Sequence, residues 1–214
     1  MTLLRGAAVA TVAALSLVAC SSSDGSGSTP KASSSPASVD ESQACAYLSA
    51  ADRERLAGVA LDQVVAADAR SGGSQCRWSS GKGLIEITSI PSTAWAKTLP
   101  KVVSELASSS DVTTAKDKRE LARATKLLKG ADSFDASQAC AAFGTLASLG
   151  GAPKDGVAVK FIPISASEVG VSAQVCSRGV LTSIVYSRPG LVESTAYEKR
   201  VTRALRAAQK RATA

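Results

Sequence analysis

The residues whose spacing could support chemistry are few. Ser79-Ser80-Gly81-Lys82 has the Ser-x-x-Lys spacing in which a lysine can take the proton of a serine nucleophile. That arrangement requires the serine at a helix start, with further Ser-Asp-Asn and Lys-Thr-Gly segments that this chain lacks. Gly81-Lys82 does not make a phosphate loop either: no glycine stands five positions earlier, and Gly83 replaces the hydroxyl residue that would hold magnesium. The chain has no histidine, which removes the commonest general base and every Ser-His-Asp arrangement. The acidic residues are scattered, as in Asp52 with Glu54 and Asp132 with Asp135; the latter two flank Ser133-Phe134 and read as loop or helix-cap carboxylates. Trp78, Trp95 and Tyr197 could line a cleft, but Trp95 and Tyr197 open similar helices and read as core. No catalytic residue is assigned, and no cofactor or metal is expected.

The five cysteines carry more information. Leu17-Val18-Ala19-Cys20 closes an apolar run from Gly6 to Ala19 that follows Arg5. About 14 residues is short of the roughly 20 that span a hydrocarbon core, so the run reads as a cleaved leader. The cysteine at its end is the residue that a lipoprotein pathway acylates. The expectation is a signal peptide over 1–19, a lipid on Cys20, and a protein moored to the outer face of the cytoplasmic membrane. Lipidation leaves Cys45, Cys76, Cys140 and Cys176, an even number in an oxidising compartment, where two disulfides are the default. No Cys-x-x-Cys spacing favours zinc. The duplication described below is compatible with all three pairings; Cys45–Cys76 and Cys140–Cys176 are preferred because each staples a helix to its own hairpin.

Residues 20–39 are nearly all Ser, Gly, Pro, Ala and Thr, a composition that cannot bury enough apolar surface to fold. They read as a tether, and their hydroxyls permit O-glycosylation. Residues 40–214 then form one domain. Aromatic residues are only 4% of the chain, so Ala, Val, Leu and Ile must build the core. The net charge is +7, or +6 once Arg5 leaves with the leader. Such a charge draws an exported protein towards anionic lipid or polysaccharide. Lys199, Arg200, Arg203, Arg206 and Lys210 on the last helix are the candidate basic face for an envelope partner; nucleic acid is not expected.

The elements that position these residues come as an internal duplication. Ser42-Gln43-Ala44-Cys45-Ala46 returns as Ser137-Gln138-Ala139-Cys140-Ala141, Cys76 returns as Cys176 ahead of an apolar strand, and Ser92-Thr93-Ala94-Trp95 returns as Ser194-Thr195-Ala196-Tyr197. The pseudo-repeats span about 40–110 and 135–214. In the first, Ser49 and Asp52 cap a short helix that Gly58 ends. A hairpin follows, with Cys76 and Trp78 on one face, a reversal at Gly81-Lys82-Gly83, and Ile85 and Ile87 returning. In the second, residues 157–162 form an extra strand, and 171–177 and 180–186 form a hairpin turning at Arg178-Gly179. Ser92 or Thr93 should cap a helix over 95–106 that Pro100 kinks or restarts. Residues 117–129 make a weaker helix, and Ser194 caps a helix over 196–211 whose Tyr197, Val201, Leu205 and Ala208 share a face. The expected class is α+β, with two helix–hairpin–helix halves forming one disulfide-stapled domain and the helices packed on one side of antiparallel strands.

The lipid-attachment motif and tether, then Ala44-Cys45-Ala46-Tyr47-Leu48-Ser49-Ala50-Ala51-Asp52, Gly58 and Cys76-Arg77-Trp78, resemble a family of small actinobacterial cell-envelope lipoproteins. Those proteins carry a domain of unknown function with a Cys…Cys-x-aromatic pattern. The resemblance covers residues 40 to about 106; Cys140 and Cys176 depart from its simplest form. It implies location, disulfides and fold, and supplies no activity. The expected function is therefore a non-enzymatic accessory or sensor lipoprotein that binds a partner or ligand, with the groove between the halves as the place. The competing expectations are a lipid-anchored hydrolase or wall-modifying enzyme working without histidine, and a plain structural spacer.

Overall fold

The computed structural model describes residues 43–69, 72–110, 112–153, 156–164 and 168–214. The leader, Cys20 and the tether lie outside these residues. Among the described residues, no helix is long and apolar enough to cross a membrane.

The chain runs α1 (Gln43–Tyr47), α2 (Ala50–Ala57), β1 (Gln63–Ala69), β2 (Gly73–Ser80), β3 (Gly83–Pro91), α3 (Ser92–Ala107), α4 (Ala115–Leu127), a 3-10 turn (Ala131–Ser133), α5 (Ala136–Leu149), β4 (Ala158–Pro163), β5 (Val169–Ser177), β6 (Val180–Ser187) and α6 (Thr195–Ala212). The six strands form one antiparallel sheet in the order β1-β2-β3-β6-β5-β4. Two three-strand meanders thus meet at the central β3–β6 pair, and the order reads alike from either edge. The fold is α+β with two disulfides.

Local chemistry sets the boundaries. Ser49 accepts the Asp52 amide at 3.1 Å, and Gly58 ends α2 with φ +67°, a left-handed value that glycine adopts without a Cβ clash. Asp135 and Gln138 make a reciprocal capping box at the start of α5. Arg178 (φ 50°) and Gly179 (φ 78°) form the two-residue β5–β6 turn, the left-handed pair that matches strand twist. Gln209 on α6 holds that turn by donating to the carbonyls of Ser177 and Val180 at 3.2 and 3.1 Å.

Two expectations about α3 are corrected. No side chain caps it: Pro91 precedes it, and the Ser92 hydroxyl instead donates to the Ala136 carbonyl at 3.2 Å. Nor does Pro100 restart it: one helix continues from Ser92 to Ala107 with that ring on the exposed side.

The helices do not share one side of the sheet. Register puts Cys76, Trp78, Ile85, Ile87, Ile184, Tyr186, Val171 and Ala173 on a first face, where α1, α2 and α6 complete a core with Leu48, Leu56, Val201 and Leu205. Ile90, Leu181, Cys176 and Ala158 point to the second face, under α3 and α5, with α4 packed outside them. The reason is visible in β5 and β6, where consecutive residues are buried; such strands need cover on both faces. The disulfides follow the helices. Cys45 of α1 joins Cys76 on the first face, and Cys140 of α5 joins Cys176 on the second. The strand order is therefore symmetric while the helix layers are not.

Candidate functional site

The residues with chemical promise in the sequence are dispersed. Ser79 lies in β2 with its hydroxyl 3.4 Å from Gln63 Oε1, whereas Lys82 is exposed in the hairpin turn. Asp52 is engaged in the first turn of α2 with Ser49 at 2.6 Å and Arg55 at 2.9 Å, and Asp135 caps α5. Trp95 is buried in the second-face core, edge-on to Phe143 at 5.5 Å. Trp78 is buried in the other core with Arg53 4.7 Å above its ring. Burial lowers the Arg53 pKa. Tyr197 lies at the edge of that same core, so the paired positions of Trp95 and Tyr197 end on opposite faces. Among the described residues, no group of three His, Cys, Asp or Glu side chains could hold a metal ion.

The basic residues of α6 divide. Lys199, Arg203, Arg206 and Lys210 are exposed, at spacings of four, three and four that put them in one stripe opposite the buried Val201, Leu205 and Ala208. Arg200 is turned away from it, half-buried, with its Cζ 5.3 Å from the centroid of Tyr197. Arg211, outside the expected set, is committed to structure: it donates to the Tyr47 carbonyl at 2.6 Å and faces Asp52 at 3.8 Å.

Sequence reasoning expected a groove but assigned none of the residues that line the concave feature. A cleft of about 460 Å³ opens at the end of the sheet where β6 begins. Its walls come from both halves: Gln43 and Tyr47 on α1, Asp68 on β1, Ser89 on β3, and Gly179 and Ala212 from the β5–β6 turn and α6. Tyr47 donates to Gln43 at 3.2 Å across the rim. β1 carries Asp68 to this rim, and β1 had no signal in the sequence because Gln63–Ala69 lacks a regular alternation and is mostly exposed. The wall offers hydroxyl, amide and one carboxylate groups over the apolar Ile90 and Val180, a lining suited to a polar ligand without negative charge.

Elsewhere on the second face, Arg77 donates through Nε and Nη2 to Glu86 Oε2 at 2.8 and 2.6 Å. This pairing satisfies a carboxylate on a residue only 8% exposed. It is a cross-strand clamp rather than an acid–base pair.

Compared with protein-family models, with curated proteins and with solved structures, this chain has no match in any of the three.

Proposed function

We propose that this chain is an extracytoplasmic lipoprotein that binds a polar ligand or partner segment in the cleft between its halves, as an accessory or sensor protein of the envelope and not as an enzyme. The cleft carries the reading: about 460 Å³, walled by residues 43–91 and 179–212 together, it is the groove that two joined halves would create. The two disulfides support an oxidising location, and Leu17-Val18-Ala19-Cys20 supplies the anchor on the outer face of the cytoplasmic membrane. Membership of the actinobacterial lipoprotein family and descent by duplication belong to the same proposal. The symmetric strand order favours duplication; the opposite-face disulfides require that the helices changed sides after copying.

Two measurements test it. Replacing Cys20 with Ala should move the protein from the membrane fraction to the medium; retention of that variant would remove the anchor. A photoreactive phenylalanine analogue at Tyr47, compared on intact cells with one at the exposed Val65, should give a discrete adduct from Tyr47 alone. Identical patterns from both positions, or no adduct at Tyr47, would refute the cleft as the binding place.

A further inference from the structure

α6 turns one face to the core and the opposite one to solvent. Val201, Leu205 and Ala208 are buried, and Lys199, Arg203, Arg206 and Lys210 are exposed. At 3.6 residues per turn those four positions fall within about 60° of arc and run about 16 Å along the helix. Residues 199–214 contain no Asp or Glu, so no acid of the helix itself lies among these cations. Among the described residues Lys199, Arg203 and Lys210 enter no ion pair, and Asp52 of the adjoining α2 is already taken by Arg55 and Arg211. α4 is also basic, but Asp117 and Glu120 lie among its cations, and Lys116 stands 3.8 Å from Glu120. It packs on the second face of the sheet. The tether enters on the first. Gln43 opens α1, which packs beside α6, and Arg211 ties the two by donating to the Tyr47 carbonyl at 2.6 Å. A chain of about 20 residues with the composition of the tether separates its ends by about 25 Å. That distance is close to the length of the 18-residue α6, about 27 Å.

We infer that the exposed stripe of α6 lies against anionic phospholipid headgroups of the membrane that holds Cys20, so that lipid and helix together fix how the domain sits on the bilayer. The inference rests on the anchored location proposed above and is independent of what the cleft binds. An anionic leaflet attracts each Lys or Arg that comes near it, and a straight line of long cationic side chains suits a surface of repeated phosphates, since it needs no pocket. The tether keeps the domain at high local concentration beside that surface, so contacts too weak to hold a free protein are enough to orient an anchored one.

The full chain carrying Cys20→Ala, so that no acyl group contributes, is floated with vesicles of phosphatidylglycerol and phosphatidylcholine in equal parts, and with vesicles of phosphatidylcholine alone. The second kind reports any binding through the apolar run of residues 6–19, which needs no anionic lipid. A stripe variant, Lys199→Gln with Arg203→Gln and Lys210→Gln, is compared with an α4 variant, Arg119→Gln with Arg123→Gln and Lys126→Gln. Both sets are exposed, and both lower the net charge equally. Partition onto the anionic vesicles should fall about tenfold or more in the stripe variant and less than about threefold in the α4 variant. It should vanish for the parent in about 0.5 M salt. Lys199→Arg with Lys210→Arg should bind as the parent does, which separates lost charge from local damage. Equal losses in the stripe and α4 variants, or no preference for phosphatidylglycerol, overturn the inference. Capture of the parent by soluble dextran sulfate without vesicle binding gives the stripe to a polysaccharide and overturns it too. These outcomes do not depend on acylation of Cys20, which the membrane-fraction experiment decides separately.

Discussion

Removing the disulfides one at a time tests how this small-residue core is held together. Cys45–Cys76 and Cys140–Cys176 close loops of 31 and 36 residues. The loop-entropy relation gives each about 4 kcal/mol through the unfolded chain. The two loops are so close in length that replacing either pair with alanines should cost about the same entropic amount. The sites differ in packing, however. Cys76 is 0% exposed among Ile87, Ile184 and Trp78, whereas Cys176 is only partly buried. A serine at position 76 places a hydroxyl in an apolar core and should cost roughly 1–3 kcal/mol beyond alanine, whereas a serine at 176 should cost little extra. Removing both bridges would take away about 8 kcal/mol, comparable to the whole stability of a typical domain, about 5–15 kcal/mol. Urea unfolding followed by circular dichroism, with the slope checked for a changed denatured state, measures each step. A loss below about 1 kcal/mol for either alanine pair would refute the entropic account. Equal costs for serine and alanine at position 76 would refute the packing account.

Three further outcomes follow from the geometry. Trp95→Ala should destabilise the protein by about 3–5 kcal/mol, because the ring is buried against Phe143; a melting curve within a degree of the parent would contradict this. Gly58→Ala combines a positive φ with a collision at Arg188 and should cost about 1–2 kcal/mol; urea unfolding reads it, and an unchanged midpoint would mean that the α2 cap is not held as described. In alkali, the Tyr186 phenol ionises near pH 12 in the native protein but near 10 unfolded. The unfolded chain therefore binds fewer protons between those values, and stability should fall as pH rises through that window. Urea midpoints at pH 9 and 11 should differ in that direction more for the parent than for Tyr186→Phe.

Much of the fold was legible because it is set by short-range chemistry. The Ser49–Asp52 cap and Gly58 fixed α2, Arg178-Gly179 fixed the β5–β6 turn, and the spacing of Val201, Leu205 and Ala208 fixed the buried face of α6. The preferred cysteine pairing is the one found, since each cysteine-bearing helix lies close in sequence to its hairpin. The missed strand, β1, is an edge strand with little burial to impose alternation. Pro100 misled because a proline removes one backbone hydrogen bond from a helix, and the sequence did not reveal that the packing of Trp95, Leu99 and Val103 holds α3 on either side of it.

The sequence by itself determined most of the helices and strands, though not β1, and that four cysteines make two bridges. Only the tertiary structure decided which face of the sheet each helix covers, because β5 and β6 are buried on both faces with polar Ser172, Gln174, Thr182 and Ser183 among the buried residues. That choice sends Trp95 and Tyr197 into separate cores, puts the disulfides on opposite sides, and opens the cleft between α1 and the β5–β6 turn. It also leaves the Tyr186 hydroxyl buried without a hydrogen-bond partner and sets Arg188 and Arg200 over the Tyr197 ring. Each of these juxtapositions depends on strands far apart in the chain meeting in one register, which local propensity does not encode.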